Sequence, residues 1–156
     1  MITIDLIPFS EWTPRPVADP RRASQAQFMD GLVEILGAQG PMQGLHLFQT
    51  YAKAGGLLKI TQPVRSRFMR AVLLAEKSGA LLVERENDSE AKGTDDPVGW
   101  IIRLPSQDRV ALRPLGPRGF AEIPLSELAA HVLEIRCQDE FLGREDIARL
   151  MLDHYG

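Results

Sequence analysis

The sequence predicts an α+β fold with a winged-helix-like core, three helices plus a β-hairpin wing, followed by two additional C-terminal helices. Three observations carry that expectation. Apolar residues recur at helical spacing in three successive segments between Ser24 and Ser78. Two short apolar runs, Leu81 to Arg85 and Trp100 to Leu104, then flank a polar stretch rich in turn formers, the pattern of a hairpin with a long tip. Helical spacing returns twice beyond Ser126. Three helices followed by a two-stranded hairpin is the element order of a winged helix, an elaboration of the helix-turn-helix arrangement. At 156 residues, 44% hydrophobic and 25% charged, the chain is long enough for one real core.

The elements follow in order. Pro8, Pro14, Pro16 and Pro20 prevent helix propagation, so residues 1–23 read as an extended, proline-rich arm that packs through Ile7, Phe9 and Trp12. Ser24-Gln25-Ala26-Gln27 has capping-box spacing and opens a first helix on Phe28, Leu32, Ile35 and Leu36, closed by Gly37 and Gly40. Leu45, Phe48, Tyr51 and Ala52 line a second helix that stops at Gly55-Gly56. Thr61-Gln62-Pro63 starts a third, which runs to about Ser78 and ends at Gly79. The hairpin follows, with an acidic tip. A further short strand is expected from Arg109 to Leu112, then helices from about Ser126 to Cys137 and from Arg144 to His154. The expected organisation is the arm (1–23), a winged-helix-like core (24–112) and a helical extension of the same domain (113–156).

Composition excludes several classes. One cysteine, Cys137, and three histidines can supply neither an internal disulfide nor the usual four-ligand structural zinc set. The N-terminal run MITIDLIPFSEW holds Asp5 and lacks a basic start, and no stretch approaches about 18 uninterrupted apolar residues, so a cytoplasmic protein with no membrane partner is expected. Gly116-Pro117-Arg118-Gly119 is a turn, because it lacks the glycine-rich run closing on Lys-Ser or Lys-Thr that cradles phosphate. Cys137 and His131 are six residues apart, the wrong spacing to share a helical face closely, and His46 and His154 have no acidic orienter nearby in sequence. Glu84, Glu86, Asp88, Glu90, Asp95 and Asp96 lack the alternating oxygen ligands and central glycine of a calcium loop and read as a solvated tip. Neither an enzyme nor a cofactor is expected; the least favoured alternative, a small enzyme or ligand binder, requires a cleft that gathers residues far apart in sequence.

The net charge of -3 gives no global reason to propose a polyanion as partner, but the charge is polarised. Residues 1–80 carry nine bases and six acids; residues 81–156 carry nine bases and fifteen acids. Between Gly55 and Ala80, Lys59, Arg65, Arg67, Arg70 and Lys77 face a single acid, Glu76. In helical projection Val64, Phe68, Ala71, Val72 and Ala75 share one face of the third helix. Ser66, Arg67, Arg70 and Lys77 fall broadly opposite, with Arg65 at the border. If this helix meets double-stranded DNA, Arg65, Arg67 and Arg70 are the candidate base or phosphate contacts, Thr61, Gln62 and Ser66 lesser hydrogen bonders, and Lys59 and Lys77 phosphate contacts. A rival reading places a protein partner or a second copy on Leu73 and Leu74, with Phe9 and Trp12 of the arm contributing.

Several segments together resemble one family. Val33-Glu34-Ile35-Leu36, Gln39-Gly40-Pro41-Met42, Tyr51 followed by Gly55-Gly56, the arginine-containing third helix, Glu122-Ile123-Pro124, Glu127-Leu128 and Ala148-Arg149-Leu150-Met151-Leu152 are similar to the uncharacterised domain near the C-terminal end of very large bacterial helicase-nuclease proteins, related to superfamily 1 helicases. The resemblance covers roughly residues 28 to 156. It implies a non-catalytic, winged-helix-like accessory module in a DNA-processing or defence setting, with DNA, a helicase or nuclease-type protein, or a second copy as partner. The acidic insert at Asn87 to Asp96 departs from the shorter hairpin of that family.

Overall fold

The computed structural model describes residues 2–86 and 96–156, so the acidic tip expected around Asp88, Glu90 and Asp95 lies outside the described residues. Helix α1 (Gln25–Gln39) starts where its sequence dictates: the Ser24 Oγ accepts the Gln27 N–H at 3.3 Å while the Gln27 side chain accepts the Ser24 N–H at 2.9 Å. This reciprocal box satisfies two amide donors at the helix start and its N-cap. After a two-residue strand, β1 (Met42–Gln43), come α2 (Gly44–Ala54) and α3 (Gln62–Ser78). Gly79 ends α3 at φ 81°, a left-handed conformation that costs glycine little, and its N–H and that of Ala80 return to carbonyls of the last turn.

Strands β2 (Leu82–Arg85) and β3 (Trp100–Arg103) form the expected antiparallel hairpin, with Val83 opposite Ile102. β1 pairs with the other edge of β3, Met42 opposite Ile102, so the sheet order is β1-β3-β2. As the central strand, β3 buries Trp100, Ile101 and Ile102. The strand expected from Arg109 to Leu112 does not form. One hydrogen bond, from the Ile7 N–H to the Leu112 carbonyl at 2.7 Å, is all that pairs there, and Pro114 has no N–H with which to extend a ladder.

The chain divides into two units, Glu11–Arg109 and Met1–Ser10 with Val110–Gly156. Residues 1–10 of the expected arm fall in one unit with the C-terminal helices, and residues 11–23 in the other. In the Glu11–Arg109 unit, α1, α2 and α3 meet around Phe68. Its ring centroid lies 4.8 Å from that of Phe48, 5.1 Å from Phe28 and 5.3 Å from Tyr51. Residues 11–23 lie against this core. The Trp12 backbone N–H donates to Gln39, its indole donates to Glu34 at 3.0 Å, and Arg15 clamps the same carboxylate. These donors, Arg15 first, hold Glu34 well below the usual carboxylate range, at about 2.

The second unit holds α4 (Leu125–Gln138) and α5 (Arg144–Tyr155), close to the expected bounds. Ile4, Ile135 and Ile147 form its apolar centre. The Gln138 side-chain amide exchanges two hydrogen bonds with the backbone of Thr3, as a neighbouring strand would. Among the described residues no helix is long and apolar enough to cross a membrane.

Candidate nucleic-acid interface

Helix α3 buries Val64, Phe68, Ala71, Val72 and Ala75, the face that its spacing predicts. The opposite side carries Gln62, Ser66, Arg70 and Lys77, all exposed, and Thr61 precedes the helix, also exposed. Lys59 lies exposed in the α2–α3 connection. Arg65 is half-buried and forms an ion pair with Asp96 at 2.8 Å.

Arg67 does something else. Its guanidinium donates to the carbonyls of Pro20 at 3.0 Å and Ala23 at 2.7 Å, and lies 5.9 Å from the centre of the Phe28 ring. The turn that leads into α1 presents these carbonyls without helical partners, and an arginine fork satisfies both. Arg67 is thus a structural clamp and leaves the set of candidate contacts.

The partner-interface candidates separate as well. Trp12 is 5% exposed and belongs to the core. Leu73 is half-buried against that core, whereas Leu74 is 51% exposed. Phe9 belongs to the other unit, where its ring lies 5.3 Å from the Arg113 guanidinium and 4.9 Å from that of Arg118. With Ser66, Met69, Arg70 and Lys77, the two leucines line a shallow groove of about 450 Å³ along α3.

The pattern of ion pairing sharpens the electrostatics. Arg15, Arg21, Arg65, Arg85 and Arg109 are each matched to a carboxylate. Lys53, Lys59, Arg70 and Lys77 are exposed and have no acid partner among the described residues. All four lie on α2, α3 or the connection between them; elsewhere Arg22, Arg144 and Arg149 are exposed on the same terms. Three of the four, Lys53, Lys59 and Arg70, fall in a span with no Asp or Glu, between Glu34 and Glu76. Lys53, at the C-terminal end of α2, was not among the sequence candidates, and this acid-free span is the signal that identifies it.

Sequence spacing did not reveal a buried polar cluster in the second unit. Glu127 of α4 accepts from Arg118 at 2.8 and 3.0 Å and from Arg113 at 3.2 Å, all three side chains being almost fully buried. One turn along α4, His131 is fully buried, its ring 4.9 Å from Tyr155 and 5.3 Å from His154. Neither ring nitrogen of His131 has a hydrogen-bond partner, and burial pushes its pKa below 6.5. Among the described residues no group of three or more His, Cys, Asp or Glu side chains is placed to hold a metal ion. The chain matches no protein-family model, no curated protein and no solved structure.

Proposed function

We propose that the Glu11–Arg109 unit is a winged-helix module that binds duplex DNA through α3 and catalyses no reaction. The connectivity supports this reading: a helix, a short strand, two helices and a hairpin, with the first strand added to the hairpin in the order β1-β3-β2. The observation that carries it is that Arg70 and Lys77, exposed and without an acid partner among the described residues, stand on the outer side of the third helix of that order. Arg70, Lys77 and Lys59 contact phosphate, Ser66, Gln62 and Thr61 donate or accept beside them, and Arg65 joins only in exchange for Asp96. The resemblance of residues 28 to 156 to a domain of helicase-nuclease proteins supports a DNA-processing setting, with a helicase or nuclease-type protein as a further partner.

Fluorescence anisotropy with a labelled duplex tests it. Three phosphate contacts predict about a 40-fold loss of affinity between about 50 and 200 mM salt. The combined change Lys59→Ala, Arg70→Ala and Lys77→Ala is expected to remove the binding and its salt dependence. Absent binding at low salt, or binding insensitive to salt, overturns the reading. A second reading rests on Leu74 and the shallow apolar groove beside it, which suit a protein partner or a second copy. A dimeric hydrodynamic mass together with no DNA binding favours it.

A further inference from the structure

A second groove, of about 560 Å³, runs between α2, the connection after it and the start of α3. Leu57, Leu58 and Ile60 line it together with Lys53, Lys59 and Arg65, and no Asp or Glu is among its lining residues. Leu58 is fully exposed, at 101%, and stands beside the half-buried Leu57 and Ile60 of the same groove. Two further features leave the start of α3 electropositive. No acid occupies its first turn, and the Thr61 side chain makes no capping hydrogen bond there. Arg65 already receives one carboxylate, that of Asp96, so the groove's edge has the geometry to accept such a group.

We propose that this groove docks an acidic peptide segment of a partner protein, one in which leucine-like side chains are flanked by Asp or Glu. Its aliphatic residues cover Leu57, Leu58 and Ile60 while its carboxylates meet Lys53 and Lys59, and Arg65 in exchange for Asp96. Charge complementarity selects an anion, and the walls select its chemistry. Single-stranded nucleic acid would bring bases that stack on aromatic rings, and no aromatic residue lines the groove. This interaction goes beyond the proposed DNA contact and uses a different set of residues, of which only Lys59 and Arg65 are shared.

The test is selection of a random peptide library displayed on phage against the full chain, followed by anisotropy of the enriched peptides made with a fluorophore. Enriched sequences are expected to combine aliphatic and acidic residues. Their affinity is expected to fall about tenfold or more in Lys53→Glu and in Leu58→Asp, and to be kept in Lys53→Arg and in the Arg70→Ala, Lys77→Ala pair. Lys53 and Leu58 are exposed, so thermal melts of the variants should match the wild type, and Leu58→Ser serves if Leu58→Asp does not. No enrichment, enrichment of sequences without acids, or peptides that bind Lys53→Glu and Leu58→Asp as well as wild type overturns the proposal. Duplex DNA titrated into the same variants separates the two sites: loss with Arg70 and Lys77 alone concerns the DNA reading, and loss with Lys53 and Leu58 alone concerns the peptide.

Discussion

At the scale of single residues, Arg67 and Arg70 are three positions apart on one helix and have opposite employment. Replacing Arg67 by alanine leaves the Pro20 and Ala23 carbonyls without their donors, and the expected loss is about 1–3 kcal/mol in chemical denaturation. Arg70→Ala is expected to change stability by less than about 0.5 kcal/mol. The sequence shows that both arginines avoid the buried stripe. It does not show that a long side chain will bend back to backbone carbonyls from a turn 44 to 47 residues away, because helical projection reports direction and not reach.

His131 carries a pH dependence whose sign follows from its burial. The unfolded chain takes up the imidazole proton near pH 6.5, whereas the folded chain resists it: burial is the main cause, the neighbouring His154 adds to it, and Glu127 opposes it. Between the folded and unfolded pKa values the unfolded state binds more protons, so stability is full above 6.5 and declines as the pH falls below it. Denaturation midpoints at about pH 5 and pH 7.5 should show this decline, and His131→Phe should flatten it. Glu34 acts in a lower window: its pKa is about 2 against an ordinary 4.5, so its contribution is lost only as the pH drops below 4.5.

At the scale of elements, α1 to α5 were legible because each is long enough for its period to repeat, and the paired strands β2 and β3 because two short apolar runs flank a polar stretch rich in turn formers. Ser24 and Gln27 marked the start of α1, and Gly79 the end of α3, for reasons of hydrogen-bond supply and backbone freedom. Gly79→Ala is expected to cost about 1 kcal/mol, read as a lower midpoint in thermal or chemical unfolding, because alanine pays to adopt φ 81°. β1 was illegible. Two residues have no period, and what makes Met42–Gln43 a strand is β3, some 60 residues further on. The absent strand at Arg109–Leu112 is the converse, a locally plausible segment that meets one hydrogen bond and no ladder.

At the scale of the whole molecule, the division into Glu11–Arg109 and the remainder escaped a reading in which the arm was one piece. Proline density predicts an extended chain but does not say which surface an extended chain will join. The candidate interface was legible in outline: the cationic third helix and its buried stripe came from composition and spacing alone. Which cations are neutralised came from Asp96, Glu76 and Glu84, carboxylates delivered by tertiary structure. Lys53 shows how a missing residue type can be as informative as a present one. With no acid over residues 35–75, no neighbour in sequence can compensate it, and among the described residues no carboxylate from elsewhere pairs with it.

The pairing of Thr3 with Gln138 has a consequence for biosynthesis. The two residues are 135 positions apart, so at ordinary elongation rates Thr3 leaves the ribosome on the order of 10 s before its partner is made. Throughout that interval Ile4 has no Ile135 or Ile147 to pack against. The earliest-made part of this unit is therefore among the last to settle, because its partners in α4 and α5 are made more than a hundred residues later.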